Sequence, residues 1–270
     1  MTSSTLDFRT IRAVASDMDG VLWRGTETLP GAVEFFQFLH QRGIPYVMAT
    51  NNSTKTVHDY VKRLRSLNIP AEPSQILSSV VVTGDYLAKH FPAGTPIYVL
   101  GSEAIEAAMT GLGYVLDPDR AEIVIVGLDY RLTYDRLRIA GQRILAGATF
   151  IGTNSDASLP MPDGLIPGSG TMIAALQTMT QREPIIMGKP QATMFLTAVE
   201  RLGAPAANTL MIGDRLETDI QGANAIGMAT ALVLTGVSSE EDDHGSYAPD
   251  GVYDDLAAIL RQWQHDLATA

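Results

Sequence analysis

The feature that most limits how this chain can fold is the alternation of strand-like and helix-like patterns along its length. Short apolar runs, such as residues 13–16 and 123–126, are separated by longer stretches with apolar residues at helical spacing. Alternation of this kind is typical of parallel sheets whose strands are connected by helical crossovers. The sequence therefore predicts an α/β protein.

The middle of the chain has a strand–helix succession of its own, between about residues 80 and 183. Its predicted elements are strands at 97–100, 123–126 and 150–152 and helices at 102–112, 133–145 and 170–180. The flanking parts are predicted to hold strands at 13–16, 45–49, 76–77, 185–187, 209–212 and 230–234 and helices at 30–43, 56–67, 191–202, 220–225 and 255–267. The simplest account is a core of residues 1–79 and 184–270 with an inserted α/β domain at 80–183.

Composition narrows the classes of partner and chemistry. With 30 acidic and 19 basic residues the net charge is −11, which repels nucleic acid and anionic membranes. The absence of cysteine excludes disulfides, thiolate-bound zinc, iron–sulfur clusters and a cysteine nucleophile. Apolar runs are far shorter than the ~18 residues of a spanning helix, and we see no secretory segment. We expect a cytoplasmic protein with neither a nucleic acid nor a membrane as partner.

Two common catalytic motifs are missing, and two other features have ordinary explanations. There is no G-x-S-x-G sequence, and the P-loop pattern fails because Pro190 follows Lys189. The histidines lie at no metal-ligand spacing, so we interpret them as surface residues. The acidic run Glu240–Asp243 is interpreted as a solvated turn.

Polar residues follow four of the predicted strands, and the carboxyl ends of parallel strands share one edge of a sheet, where ligands bind. The four segments are Asp17-Met18-Asp19-Gly20, Thr50-Asn51-Asn52-Ser53, Gly188-Lys189-Pro190, and Gly213-Asp214-Arg215 with Asp219. Each has a structural alternative: a solvated turn, a helix cap, a surface lysine, or a loop acid with a helix-terminal charge. Coincidence at all four is the less economical interpretation, so we predict that they form one site.

Several carboxylates close together repel one another unless a cation lies among them. With only oxygen ligands available, the natural cation is Mg²⁺, which binds one or two carboxylates and keeps several waters. We predict that Asp17, Asp19 (through its carbonyl oxygen) and Asp214 are the metal ligands.

The remaining polar groups suit a phosphate dianion. Thr50 offers a hydroxyl, Asn51 a backbone N–H and Lys189 a positive charge. The predicted phosphate-binding set is Gly20, Thr50, Asn51, Asn52 and Lys189. A carboxylate oxygen of Asp17 can attack phosphorus to give an aspartyl-phosphate, and Asp19 can protonate the leaving alkoxide and then activate water. The predicted catalytic residues are Asp17, Asp19, Thr50 and Lys189.

These four motifs resemble, in the same order, those of the haloacid dehalogenase-like superfamily of aspartate-nucleophile phosphohydrolases. The chain is most similar to the subgroup of NagD-like and nitrophenyl phosphatase-like enzymes, which have a large α/β cap. The further matching segments are Leu22-Trp23-Arg24-Gly25, Pro30-Gly31-Ala32, Thr153-Asn154 with Asp156, Pro167-Gly168 with Gly170, and Leu234-Thr235-Gly236-Val237.

The resemblance implies a Rossmann-like core, a cap at about 80–183 that selects the substrate, and a small phosphorylated metabolite, a sugar phosphate or nucleotide, as substrate. It implies that Asp219 contacts metal-bound waters or Lys189, and that the protein can form a homodimer. The expected specificity residues of the cap are Thr153, Asn154, Asp156, Gly168 and Ser169. Ser155 stands where many relatives have proline, and Trp23 either lines the entrance or packs in the core.

Other activities are compatible with an aspartate nucleophile. A phosphotransferase or mutase would replace water with a second substrate, and a receiver-type regulator would store the aspartyl-phosphate without turnover. A dehalogenase would not need Asp19, so the presence of this residue argues against it.

Overall fold

The computed structural model describes residues 6–161, 164–239 and 247–269. The chain forms two compact units, the first comprising Met1–Thr50, Val57–Leu77 and Lys189–Ala270 and the second Asn51–Thr56 and Ser78–Gly188. The short segment after Thr50 therefore groups with the second unit, whereas the sequence prediction placed it in the core. The run Glu240–Asp243 and His244 lie outside the described residues.

The first part of the chain belongs mainly to the first unit. Its elements are β1 (Ala13–Asp17), β2 (Trp23–Arg24), β3 (Glu27–Thr28), α1 (Ala32–Gln41), β4 (Tyr46–Thr50), α2 (Val57–Ser66) and β5 (Ile76–Ser78). Strands β2 and β3 form a short antiparallel hairpin just after β1.

The second unit has a five-stranded sheet of its own. Its elements are α3 (Ser79–His90), β6 (Pro96–Leu100), α4 (Glu103–Gly111), β7 (Val115–Leu116), β8 (Ile123–Val126), α5 (Tyr134–Leu145), β9 (Thr149–Gly152), β10 (Ser158–Met161), β11 (Gly164–Pro167), α6 (Ser169–Thr180) and β12 (Ile185–Ile186). The strand order is β12-β9-β8-β6-β7, with parallel pairing throughout. Strands β10 and β11 form a separate antiparallel hairpin.

The last part of the chain completes the sheet of the first unit. Its elements are α7 (Ala192–Leu202), β13 (Thr209–Gly213), a π-helical turn (Leu216–Ile220), α8 (Gln221–Asn224), β14 (Ala229–Val233), β15 (Gly251–Tyr253) and α9 (Leu256–Ala268). The strand order is β15-β14-β13-β1-β4-β5, and β1 pairs in parallel with both β13 and β4. The predicted α/β class with parallel sheets is confirmed.

One prediction at the level of single elements was wrong. The strand at 185–187 was assigned to the core, but β12 pairs with β9 at the edge of the second sheet. The helix predicted at 220–225 is confirmed as the short helix α8, and a π-helical turn that was not predicted precedes it. The strands β7 and β15 and both hairpins were not predicted, because runs of two to four residues carry too little periodicity to be recognised.

The core of the first unit is built around its central strands. Every residue of β1, β4 and β13 is buried, as expected for parallel strands covered by helices on both faces. The ring of Trp263 in α9 packs against Phe35 and Phe38 of α1 and against Phe8. None of the described helices combines the length and the apolarity needed to cross a bilayer.

Candidate active site

The candidate site of the first unit lies where three adjacent strands end. Strand β1 ends at Asp17, and its neighbours β4 and β13 end at Thr50 and Gly213, directly before Asp214. Because the strands are parallel, these residues share the carboxyl edge of the sheet. The first unit thus gathers Asp17, Asp19, Gly20, Thr50, Lys189, Asp214 and Asp219 of the predicted site.

Lys189 is the cation of this site. Its Nζ lies 2.9 Å from Oδ1 of Asp17 and 2.6 Å from Oδ1 of Asp219, and the lysine is 2% exposed. Burial by itself would lower the pKa of the ammonium, but the negative charges of Asp17 and Asp219 outweigh it and raise the pKa. Lys189 therefore remains protonated at neutral pH.

Three carboxylates face one another beside this lysine. Asp17, Asp214 and Asp219 each offer an oxygen, and these oxygens lie within 4.8 Å of one another. Burial raises the pKa of Asp214 to about 6, and the charge of Asp219 acts in the same direction. Burial also raises the pKa of Asp17, although Lys189 opposes this effect. A single lysine thus leaves the cluster with an excess of negative charge.

The donor set fits a hard divalent cation. Oδ1 of Asp214 is buried and has no hydrogen-bond partner in the described part of the chain. A buried carboxylate oxygen without a partner is costly, and a metal ion would satisfy it. All side-chain donors in the cluster are carboxylate oxygens, which suit Mg²⁺ better than softer metals.

A loop that sequence reasoning assigned no role holds Asp214 in place. Residues 235–238 follow β14, and the backbone N–H of Val237 donates to Oδ2 of Asp214 at 2.9 Å. A Cβ atom at either Gly20 or Gly236 would overlap Oδ2 of the same carboxylate. Both positions therefore require glycine. The signal was present in the Thr235-Gly236-Val237 segment, but only the fold brings this segment to Asp214.

The side chain of Asp19 is not one of the three clustered carboxylates. It is exposed, and its Oδ1 accepts a 2.8 Å hydrogen bond from Nε1 of Trp23. The carboxylate that was predicted to transfer protons thus has a specific partner, the N–H of an indole.

Thr50 and Gly20 complete the first-unit part of the site. Thr50 is buried at the end of β4. Burial raises the pKa of the neighbouring Tyr60 phenol, and the charge of Asp19 adds to the effect. Gly20 has a φ of 84°, and its carbonyl oxygen accepts a 2.6 Å hydrogen bond from Oγ1 of Thr235.

The other predicted site residues lie in the second unit. Asn51 and Asn52 begin the segment 51–56, and Oδ1 of Asn52 accepts a hydrogen bond from the backbone of Thr54. Nδ2 of Asn154 donates to the carbonyl of Asn51 at 2.8 Å and to Oγ of Ser169 at 3.2 Å.

Two more of the predicted specificity residues enter the same network. Nδ2 of Asn51 donates to Oδ2 of Asp156 at 3.3 Å, and a Cβ at Gly168 would overlap the carbonyl of Asp156. Thr153 and Asn154 are buried, as are Gly168 and Ser169. The side chains of Asn154 and Asp156 thus bind Asn51, which begins the segment that follows Thr50.

Sequence comparison identifies the class of protein that this fold and site represent. A family model for haloacid dehalogenase-like hydrolases matches residues 14–115, and a HAD-hydrolase-like model matches residues 186–259. The chain is 37% identical over 239 residues to an acid sugar phosphatase of Staphylococcus aureus (strain USA300), covering 88% of this chain and 92% of that protein. The chain belongs to the haloacid dehalogenase-like hydrolases.

Solved structures narrow this class. A p-nitrophenyl phosphatase from Archaeoglobus fulgidus superposes with a TM-score of 0.89 at 30% identity, covering 93% of this chain and 99% of that one. NagD from E. coli K-12 gives a TM-score of 0.85 at 31% identity, covering 92% and 97%. The predicted membership of the NagD-like and nitrophenyl phosphatase-like enzymes is confirmed, and the chain is an enzyme of the phosphatase class.

Proposed function

We propose that this enzyme is a Mg²⁺-dependent phosphatase that hydrolyses small phosphomonoesters through an aspartyl-phosphate on Asp17. The observation that carries the proposal is the buried group of Asp17, Asp214 and Asp219 within 4.8 Å of one another, beside the ammonium of Lys189. Such a group combines a nucleophile with the positive charge that a phosphoryl dianion requires.

Asp17 is oriented for attack. Lys189 and the backbone N–H of Met18, at 2.8 Å, both contact Oδ1. This arrangement leaves Oδ2 as the nucleophilic oxygen. Attack forms an O–P bond to Asp17 and breaks the bond between phosphorus and the leaving oxygen, which splits one difficult displacement into two easier steps.

Asp19 acts first as the general acid and then as the general base. Its exposed carboxyl group donates a proton to the leaving oxygen, and then takes one from the water that hydrolyses the aspartyl-phosphate. Hydrolysis releases inorganic phosphate and restores the Asp17 carboxylate. Lys189 stays protonated throughout and balances charge on the phosphoryl oxygens, and the hydroxyl of Thr50 binds the same oxygens.

Asp17, Asp214 and the carbonyl oxygen of Asp19 would hold the magnesium ion, and Asp219 would fix Lys189 and metal-bound water. The ion would supply the positive charge that allows an anionic phosphate to enter an acidic site. The orphaned Oδ1 of Asp214 supports this assignment.

The name of one relative, an acid sugar phosphatase, favours the sugar phosphates within the predicted substrate class of sugar phosphates and nucleotides. We infer that the second unit acts as the cap that selects the substrate. The lack of cysteine is compatible with a cytoplasmic location, and formation of a homodimer remains a prediction.

A panel of phosphorylated metabolites, assayed for phosphate release with and without Mg²⁺, tests the proposal. We expect turnover only with the metal and only in the absence of the Asp17→Asn substitution. Release of phosphate with no acceptor present would separate hydrolysis from phosphotransfer. Wild-type turnover by Asp17→Asn would refute the aspartyl-phosphate mechanism.

A further inference from the structure

Trp23 is buried in the core of the first unit, yet its polar atom has a specific partner. The residue is 1% exposed, so it does not line an entrance. Its Nε1 donates to Oδ1 of Asp19 at 2.8 Å. A buried indole N–H needs an acceptor, and most side-chain hydrogen bonds in proteins go to backbone or water. In this enzyme the acceptor is a carboxylate of the candidate site.

The backbone holds the two ends of this contact in register. The N–H of Gly20 donates to the carbonyl of Trp23 at 2.8 Å, and the N–H of Leu22 donates to the carbonyl of Met18 at 2.8 Å. The turn between Asp19 and Trp23 is therefore closed by main-chain bonds. The indole adds a hydrogen bond to the Asp19 side chain itself.

Arg63 fixes the indole in turn. Its guanidinium carbon lies 3.8 Å from the centroid of the Trp23 ring, and Nη2 donates to the carbonyl of Gly25. A cation over an aromatic face is attracted to the ring and restricts its rotation. Arg63 of α2 thus contacts the Trp23 ring, and the Trp23 ring contacts the Asp19 carboxylate.

We propose that Trp23 is a positioning residue that orients the Asp19 carboxyl group for proton transfer. This inference rests on the proposed function. The indole N–H bonds Oδ1 of Asp19. Oδ2 accepts no hydrogen bond from the described residues, and it is the oxygen that exchanges the proton. As the P–O bond of the ester breaks, the proton on Oδ2 passes to the leaving oxygen; the next proton comes from the attacking water.

The test compares leaving groups in the first turnover of the Mg²⁺-loaded full chain. Nitrophenolate leaves without a proton, whereas the alkoxide of glucose 6-phosphate needs one. We expect Trp23→Phe to slow the first turnover of the alkyl ester at least about tenfold, which is a part of the roughly 10²- to 10⁴-fold that general acid catalysis contributes. The rate of the first release of nitrophenolate should stay within about threefold of the wild-type rate. A slow phase should follow it, because hydrolysis of the aspartyl-phosphate also needs Asp19.

The matched control is Trp263→Phe, since Trp263 is the other tryptophan, is equally buried and packs against Phe8, Phe35 and Phe38 in the core. It should leave the ratio of the two first-turnover rates unchanged. In an Asp19→Ala background, Trp23→Phe should have no additional effect, since the two residues act as one unit. If Trp23→Phe does not fold, Arg63→Met provides a milder loosening of the same ring, with a smaller change of the same sign.

Equal slowing of both substrates by Trp23→Phe, no slowing at all, or a further loss in the Asp19→Ala background would overturn the positioning role. The two proposals fail in different ways. If Asp17→Asn keeps wild-type turnover, the proposed function fails and the role of Trp23 fails with it. If Asp17→Asn is inactive and Trp23→Phe behaves like Trp263→Phe, only the role of Trp23 fails.

Discussion

Lys189 and Asp219 form a buried ion pair in which Nζ lies 2.6 Å from Oδ1, and the same ammonium is 2.9 Å from Oδ1 of Asp17. One positive charge thus serves two buried carboxylates, and Asp214 completes the group. The local charge is unbalanced in the absence of metal, and this imbalance determines how the protein responds to substitution, pH and magnesium.

Replacing Lys189 with Met is expected to destabilise the metal-free protein. The substitution leaves Asp17 and Asp219 buried without a cation, which typically costs about 3 kcal/mol or more. Denaturant unfolding in EDTA measures the change. Lys62→Met is the control, because Lys62 is exposed and its loss should change stability by less than about 0.5 kcal/mol. Equal stabilities of the two variants would contradict this prediction.

The metal-free protein should become less stable as the pH rises from about 4 to 6. Burial raises the pKa of Asp214 from its ordinary 3.8 to about 6, so the folded state binds more protons than the unfolded state in this window. The stabilisation is complete below the unfolded pKa and is lost as the pH rises through the folded one, a change of up to about 3 kcal/mol.

Asp214→Asn removes this titration. We therefore expect the unfolding free energy of the variant, relative to wild type in EDTA, to increase between pH 4 and pH 7. A difference that stays constant over this range would show that Asp214 titrates in the folded protein as it does in an unfolded chain.

Magnesium should raise the melting temperature of the wild-type protein at pH 7. A ligand that binds only the folded state stabilises it by mass action, by about 2.7 kcal/mol at a hundredfold excess over Kd. Thermal scans in Mg²⁺ and in EDTA measure the shift, which Asp214→Asn should greatly reduce. A shift of full size in this variant would exclude Asp214 as a ligand.

Gly236→Ala should impair the site without unfolding the first unit. The new Cβ would overlap the Asp214 carboxylate, which must then move from its bond with Val237. We expect turnover to fall about tenfold or more, as displacements of about 1 Å can reduce rates a hundredfold. Gly111→Ala, where a Cβ meets no atom within 4 Å, is the control and should retain wild-type turnover. The prediction fails if the two variants are equally active.

Asn154→Ala should reduce stability and leave substrate preference unchanged. Its Nδ2 bonds the carbonyl of Asn51 and Oγ of Ser169, and loss of these buried bonds costs about 1–3 kcal/mol. Unfolding free energy and relative rates on the substrate panel are the two measurements. Altered preference at unchanged stability would contradict this prediction and support the specificity role predicted from the family resemblance.

Much of the candidate site could be predicted from sequence because its signals are local. An apolar strand followed by Asp17 or by Asp214 identifies a strand end, and parallel pairing brings such ends to one edge. The direction in which each side chain points could not be predicted from the local sequence. Asp219, predicted only as a partner of water or lysine, joins the carboxylate cluster, whereas the Asp19 side chain bonds Trp23.

The sequence by itself determined the α/β class, the family and the order of the motifs, since periodicity and residue chemistry are properties of short segments. Only the tertiary structure decided that β12 pairs with β9, that residues 51–56 group with the second unit, and that Trp23 is buried in the core. These features depend on which distant segments pack together. Pairing energies between residues far apart in the chain are not encoded in the local pattern of either partner.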